Sequence, residues 1–79
     1  MQQNKSWGWS PQIGLHYYTI EEDLDSVIGF EWTGHDYDWR KYHTGNCFPS
    51  EQAANKVLKR IRAIVVDAHS RIQGGQYVN

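Results

Sequence analysis

The side chains that could bind a metal ion or act as a nucleophile are few in this 79-residue chain, which has four histidines and one cysteine. His43 and Cys47 are four residues apart, a spacing that can supply half of a zinc site. His35, Asp36 and Asp38 are also close in sequence, but no second pair with ligand spacing accompanies them. The sequence therefore predicts no metal site and no cofactor, and Cys47 is expected to be a small buried residue.

Nucleophilic catalysis would need Cys47 with His43 or His35 as its base. The spacing around these residues matches neither an oxyanion loop nor a nucleophile elbow, and the sequence has no glycine-rich phosphate loop. The paired carboxylates cluster in turn-like segments, where acids are normally solvated. Because so short a chain also leaves little concave volume for a substrate pocket, we expect a protein that is not an enzyme.

The charged residues are segregated along the chain, although the net charge is only −1. Residues 21–38 contain seven acids and no Lys or Arg, whereas residues 40–71 contain seven bases and two acids. The two segments could form faces that steer different partners, or faces that attract each other or are only solvated. We interpret part of the acidic segment as a candidate protein-binding surface, formed by Glu31, Asp36, Tyr37 and Asp38.

Alternating apolar and polar residues predict two strands, at residues 14–20 and 26–32, that pair as an antiparallel hairpin. Gly29 inside the second strand indicates a bulge or a close backbone approach. Residues 33–38 are expected to be a loop, and residues 39–43 a third short strand or an extended edge.

One long helix is predicted at residues 51–72, after Pro49 and with Ser50 as its N-cap. Phe48 can close a hydrophobic staple across the helix start by packing on Ala54. The helix has an apolar stripe that we expect to lie on the sheet, consisting of Ala54, Val57, Leu58, Ile61, Ile64, Val65, Ala68 and Ile72.

These elements predict one α+β domain, residues 1–79, in which a small antiparallel sheet of two to three strands packs on one long C-terminal helix. Residues 1–8 are expected to be frayed. Residues 73–79 are expected to be a tail that follows a helix stop at Gly74 and Gly75.

Outside the apolar stripe, the predicted helix carries Val66 among basic residues. An exposed valine in that position would suit a protein interface, although single exposed valines are also common in monomers. The basic residues are candidates for contacts with nucleic-acid phosphates, and they are Lys56, Lys59, Arg60 and Arg62.

Aromatic residues make up 14% of the chain, more than one small core can enclose. If they are exposed on the open face of the sheet, they would form an adhesive patch, because Trp and Tyr dominate binding hot spots. In the alternative arrangement, Trp9 and Pro11 fold back to cover Tyr18 or Trp32. Tyr37, between two acids, is the aromatic residue that we most expect to be exposed.

The chain has no apolar run near the roughly 20 residues of a membrane span, and its first residues lack the apolar core of a secretion signal. A single cysteine excludes an internal disulfide and suits a reducing compartment. We therefore expect a soluble cytoplasmic protein without membrane partners. Because a core of this size gives little net stability, a homodimer or a permanent partner could supply further burial.

Three ordered segments carry a resemblance to a known family: WSPQIGLHYYTI (Trp9–Ile20), GFEW (Gly29–Trp32) and DWRKYHTGNCFPSEQAANKVLKRI (Asp38–Ile61). Over about residues 9–64, the chain resembles a family of small, mostly uncharacterised proteins encoded by tailed bacteriophages and prophages. Lys41 stands where that family has Arg, and a lysine cannot make the planar two-bond pair with Asp38 that an arginine makes.

The resemblance implies a phage or prophage origin and an α+β unit of hairpin plus helix, and it implies no particular activity. It leads to the hypothesis of a protein-binding module that docks on a host bacterial protein in the host cytoplasm and modulates or inhibits it, as anti-defence factors of the anti-CRISPR kind do. The alternative is a nucleic-acid-binding accessory protein of phage replication or transcription, which the net charge disfavours. A third hypothesis is a protein that sequesters a signalling nucleotide at a dimer interface.

Overall fold

A computed structural model describes residues 8–73, which form two strands and two helices. In chain order these are β1 (His16–Ile20), β2 (Val27–Glu31), α1 (Asp36–His43) and α2 (Glu51–Gln73). The predicted α+β class, with a small antiparallel sheet and one long C-terminal helix, is confirmed. The predictions for residues 1–7 and for the tail at 74–79, including the stop at Gly74 and Gly75, lie outside the described residues.

The two strands pair antiparallel as predicted, within narrower bounds than residues 14–20 and 26–32. Tyr18 lies opposite Gly29, and its ring covers the glycine so closely that a Cβ atom there would lie 2.8 Å from Tyr18 Cε2. The group that approaches Gly29 closely is therefore a side-chain ring, whereas the prediction was a bulge or a close approach of backbone. This approach occurs within a regular register rather than at a bulge, and the tyrosine ring fills the space above the glycine.

Residues 39–43 were predicted to be a third short strand or an extended edge, and this is wrong because they belong to α1. The helix begins at Asp36, so the last three residues of the loop predicted at 33–38 are also helical. The helix has acids in its first turn and bases in its last turn, an order that suits the helix dipole. Its buried residues, Asp38 and Tyr42, are one turn apart. An eight-residue segment has too few turns for apolar spacing to distinguish helix from strand, so contacts with the rest of the protein decide.

An extended segment, residues 46–48, makes the edge contact that the prediction gave to a third strand. The N–H groups of Tyr18 and Phe48 each donate to the other residue's carbonyl, at 2.9 and 2.8 Å. The side-chain amide of Asn46 accepts from the Ile20 N–H at 2.7 Å and donates to the Ile20 carbonyl at 2.8 Å. This segment therefore covers the edge of β1 that β2 leaves free.

The start of α2 follows directly and agrees with the prediction. Ser50 Oγ accepts a hydrogen bond from the Ala53 N–H at 3.1 Å, as an N-cap does. Phe48 packs against the cluster that contains Ala54, which is the contact expected of a hydrophobic staple. The stretch from 46 to 53 thus closes one edge of the sheet and begins the helix.

The two helices pack on opposite faces of the sheet. On the α1 face, the buried residues are Tyr17, Trp32, Tyr42 and Cys47, with Trp9 and Phe30 packed against them. On the α2 face, the buried residues are Ile20, Ala54 and Leu58, with Tyr18, Leu24, Val27, Phe48, Val57 and Ile61 packed against them. One face is therefore mostly aromatic, and the other is mostly aliphatic.

Only the inner half of α2, residues 51–61, lies on the sheet. In the outer half, residues 62–73, the predicted stripe is wrong as a sheet contact, because Ile64 is 68% exposed and Ile72 is 51% exposed. The physical reason is length. A 23-residue helix is about 34 Å long, whereas a five-residue strand is about 17 Å long, so the sheet ends half-way along the helix.

Candidate protein-binding surfaces

The candidate metal and nucleophile residues do not form a reactive centre in the part of the chain that the structure describes. Within residues 8–73, no three His, Cys, Asp or Glu side chains are grouped to hold a metal ion. Cys47 is buried, and burial together with the nearby Asp38 carboxylate raises the pKa of its thiol to about 12. His35 Nδ1 lies 2.8 Å from Thr33 Oγ1, and the His43 ring packs on Trp39. Cys47 is therefore a neutral thiol at physiological pH.

Asp38 is the main correction among the predicted surface residues, because its side chain is only 4% exposed. Its carboxylate accepts hydrogen bonds from the Tyr17 hydroxyl, from the Thr33 N–H at 2.8 Å and hydroxyl at 2.7 Å, and from the Gly34 N–H at 3.1 Å. Lys41 makes no pair with it; the Lys41 ammonium lies 5.5 Å from the centre of the Tyr37 ring. Asp38 therefore joins β1, the 33–34 loop and α1, and it is structural.

The hydrogen bonds to Asp38 also determine its ionisation. Burial alone would raise the pKa of this carboxyl, but the hydrogen bonds from Tyr17, Thr33 and Gly34 outweigh burial and lower its pKa to about 2. Burial and the neighbouring carboxylate raise the pKa of the Tyr17 hydroxyl above its usual range. At neutral pH the pair is thus a carboxylate that accepts from a neutral phenol.

The aromatic residue expected to be exposed, Tyr37, is 47% exposed, but it lies on α1 rather than in a loop. Its ring packs edge-to-face on Phe30 with the ring centres 5.8 Å apart, and the Lys41 ammonium lies over it. Ile28, which is on the same face of β2 as Phe30, is 42% exposed. The contacts with Phe30 and Lys41 hold an exposed aromatic ring in place on the face of the sheet that also carries the exposed Ile28.

Two of the predicted acids, Glu31 and Asp36, are exposed at the end of β2 and the start of α1. Among residues 8–73, neither carboxylate has a hydrogen-bond or ion-pair partner. Glu31 pairs with His16, and strand alternation places it on the opposite face of the sheet from Phe30. We call the group of Ile28, Phe30, Asp36 and Tyr37 the α1 surface. It offers an apolar centre with one carboxylate that has no partner among residues 8–73, a composition that suits a protein contact.

The structure does not bring Val66 together with the α1 surface. Val66 is 67% exposed, as predicted, but it lies on the outer half of α2, and α2 packs on the opposite face of the sheet from α1. The five residues that were predicted as one partner-binding set therefore separate. Asp36 and Tyr37 lie on the α1 surface and Asp38 is buried, whereas Glu31 lies on the other face of the sheet and Val66 on the outer half of α2.

The basic residues of α2 also separate. Lys56, Lys59 and Arg60 are exposed on the side of the helix away from the sheet. Arg62 points to the hairpin turn, where its Nη1 lies 2.6 Å from an Asp25 carboxylate oxygen. The predicted phosphate-binding set of four therefore contains three cations without an ion-pair partner among the described residues.

An apolar cleft of about 280 Å³, which the sequence did not predict, lies between the hairpin turn and α2. Its apolar lining is formed by Ile20, Leu24, Phe48, Val57 and Ile61, and Glu21 and Asn46 are at its polar rim. Val57 and Ile61 belong to the apolar stripe of α2, and beyond the cleft this stripe continues along the helix as the exposed Ile64, Val65 and Ile72. One feature of the sequence could have indicated uncovered apolar surface on α2: its apolar stripe is longer than either predicted strand.

Part of the aromatic excess is used in the core. Trp9 packs on the cluster that contains Trp32, and its carbonyl accepts a hydrogen bond from the Tyr42 hydroxyl at 3.1 Å. Trp9 therefore folds back onto the cluster that contains Trp32, which agrees with the alternative arrangement for Trp9, whereas Tyr18 lies on the opposite face and no contact tests the part predicted for Pro11. Tyr37 and Trp39 are the aromatic residues of α1 that remain exposed.

None of the helices within residues 8–73 combines the length and the apolar character needed to cross a membrane. No protein-family model, no curated protein and no solved structure matches the chain.

Proposed function

We propose that this protein is a binding module that acts by surface contact, and that the α1 surface docks on a protein of a bacterial host in its cytoplasm. The observation that carries the proposal is Tyr37, an exposed aromatic ring held in place by Phe30 and Lys41. Tyrosine is among the residues that contribute most to protein interfaces, and a ring that is already ordered loses little entropy on binding. Occlusion or modulation of the host protein, as by an anti-defence factor, is the activity that we propose.

Asp36, the residue before Tyr37 on α1, favours a partner with a cation at the rim of the contact. It has no ion-pair partner among residues 8–73, so its carboxylate is available to such a cation. Rim charges of this kind mainly set the association rate and the choice of partner, whereas a central aromatic side chain sets the dissociation rate. The host as source of the partner rests on the resemblance to phage proteins.

Affinity capture from a bacterial host lysate tests this proposal. The immobilised full chain should retain a stoichiometric protein, and Tyr37→Ala should abolish that retention. Asp36→Lys should weaken it, and the matched control is Glu22→Lys, which makes the same charge change at an exposed acid of the hairpin turn. Capture of no stoichiometric protein, or equal capture by wild type and Tyr37→Ala with unchanged melting temperatures, would contradict the proposal.

Nucleic-acid binding is the second candidate, and one observation favours it: Lys56, Lys59 and Arg60 are exposed together on one side of α2. A mobility shift with single- and double-stranded oligonucleotides at about 50 mM salt tests it, because phosphate contacts give steeply salt-dependent binding. Lys56→Glu should abolish a genuine shift, and Arg62→Glu should leave it, since Arg62 is paired with Asp25. Absence of any shift at that salt concentration excludes this candidate.

A further inference from the structure

The outer half of α2 has an apolar stripe without a partner among the described residues. Ile64 and Ile72 are more than half exposed, Val65 is 36% exposed, and the stripe begins at the apolar cleft beside Ile61. A cleft at one end of a helix stripe and a protruding isoleucine at the other end are complementary to each other. They cannot meet within one chain, because Ile61 and Ile72 are about 16 Å apart along a rigid helix.

We propose that a second copy of this chain covers the stripe, with the two α2 helices antiparallel and Ile72 of each copy in the apolar cleft of the other. The interface is isologous, since the same cleft and the same isoleucine are used twice about a two-fold axis. The proposal concerns the outer half of α2 and does not depend on the α1 surface.

Helix geometry supports this register. When Ile72 of one copy lies beside Ile61 of the other, the two-fold axis passes between residues 66 and 67. Val65 of each helix then faces Ala68 of its partner, and a β-branched residue against a small one allows the helices to approach closely. Val66 lies outside the stripe and stays exposed in the dimer.

The charges favour the antiparallel orientation. The hairpin turn next to the cleft carries four acids, Glu21, Glu22, Asp23 and Asp25, and Glu21 lines the cleft itself. The helix end that carries Ile72 also carries Arg71, whose guanidinium forms an exposed ion pair with Asp67 one turn earlier on the same helix. Antiparallel pairing places this end beside the acidic turn of the other copy, where Arg71 can exchange Asp67 for an acid of the turn. Parallel pairing would place the two acidic turns together, and like charges brought together at an interface disfavour that orientation.

The mass of the full-length protein across a concentration series is the first test. Sedimentation equilibrium from about 10 µM to about 1 mM should show reversible doubling of the mass. Ile72→Glu should raise the dissociation constant by at least about a hundredfold, because both symmetry-related isoleucines lose their burial. Val66→Glu is the matched control: it adds the same charge to a similarly exposed position off the stripe and should leave the dissociation constant nearly unchanged.

A cross-link tests the orientation. Thr44 is exposed and lines the cleft, so a Thr44→Cys protein mixed with an Ile72→Cys protein should form a mixed dimer with a short bis-maleimide. Cys47 gives little background, because its thiol is buried and neutral. The Ile72→Cys protein alone should give little cross-linked dimer in the antiparallel arrangement.

Three outcomes would overturn the proposal: a monomer over the whole concentration range, a dimer that Ile72→Glu leaves intact, or efficient cross-linking of Ile72→Cys to itself, which indicates parallel helices. If residues 74–79 or a host protein cover the stripe instead of a second copy, the protein stays monomeric, which is the first of these outcomes. Loss of host capture in Tyr37→Ala alone, with the dimer intact, separates this interface from the proposed function.

Discussion

The two faces of the sheet are stabilised in different ways. On the α1 face, aromatic rings surround one buried carboxylate, and Asp38 holds a strand, a loop and a helix together through four hydrogen bonds. On the α2 face, aliphatic side chains pack without a buried charge, around Ile20, Ala54 and Leu58. Hydrogen bonds to a buried charge are directional, whereas aliphatic packing depends mainly on volume and area.

Because the two faces are stabilised in different ways, they should differ in their sensitivity to substitutions and to acid. The α1 face should fail when a single polar atom is removed, because several donors then lose their acceptor together. The α2 face should respond gradually to lost volume and should be insensitive to acid. The α1 surface can therefore present Tyr37 in one orientation, while the outer half of α2 offers a surface that adapts to a partner.

The largest effect should come from Asp38→Ala. This change leaves the buried Tyr17 hydroxyl and the partly buried N–H groups of Thr33 and Gly34 without an acceptor, and we expect a loss of about 3 kcal/mol in the free energy of unfolding. Urea denaturation followed by near-ultraviolet circular dichroism measures it. The control is Asp36→Ala, an exposed acid two residues earlier, which should change stability by less than about 0.5 kcal/mol. Equal losses of stability in Asp38→Ala and Asp36→Ala would contradict the stabilising role assigned to the Asp38 carboxylate.

On the α2 face, Leu58→Ala should cost about 2–3 kcal/mol, because Leu58 is 5% exposed and its removal leaves a cavity. The same truncation in the outer half, Ile64→Ala, should cost no more than about 0.5 kcal/mol in dilute solution. Comparison of the urea midpoints of Leu58→Ala and Ile64→Ala therefore measures how far along α2 the contacts with the sheet stabilise the protein. A similar loss for both substitutions would mean that the outer half is packed in solution.

Acid should weaken the α1 face. The pKa of Asp38 is about 2 in the folded protein and about 3.9 in an unfolded chain, so its ionised form stabilises the fold above about pH 4. This stabilisation, on the order of 2 kcal/mol, is lost as the pH falls through about 2. Asp38→Asn should flatten the acid dependence, apart from a part due to Asp23, whose pKa is also lowered by hydrogen bonds from Asp25 and Ser26. An unchanged slope in Asp38→Asn would show that other acids govern acid unfolding.

The smallest of these effects should be that of Tyr17→Phe, at about 1.5 kcal/mol. The substitution removes one hydroxyl donor to the Asp38 carboxylate and leaves the ring in the aromatic cluster. Tyr18→Phe is the matched control on the opposite face and should be nearly neutral, since its ring covers Gly29 without using the hydroxyl. Thermal melts of both variants at neutral pH suffice, and the reverse ranking would contradict the assignment of the buried hydrogen bond.

The elements that the sequence predicts well are those with long, repeated patterns. The alternation around Tyr17 and Tyr18, and the helical spacing with the Ser50 cap, lead directly to the hairpin and to α2. In contrast, α1 has only two turns, and its buried residues are an acid and a tyrosine, so neither periodicity nor hydrophobicity identifies it. For these residues the sequence therefore predicts a loop and a short strand or extended edge, and this prediction is wrong.

The candidate surfaces were predictable only in part, for a related reason. Exposure of Tyr37 and Val66 follows from their charged neighbours in sequence, and it is confirmed. The burial of Asp38 depends on donors from two other parts of the chain, the 33–34 loop and the distant Tyr17 of β1, and no local pattern contains the second of these. The cleft beside Ile61 likewise forms only where the hairpin turn meets α2.

The partial packing of α2 also implies a difference in motion along one continuous helix. Amide hydrogens of the inner half, which lies on the sheet, should exchange with solvent only when the whole domain opens. Those beyond Ile64 should exchange through local fraying, orders of magnitude sooner, because little buried area opposes it. The boundary between slowly and rapidly exchanging amides should fall near Arg62, because its ion pair with Asp25 joins this part of the helix to the hairpin turn.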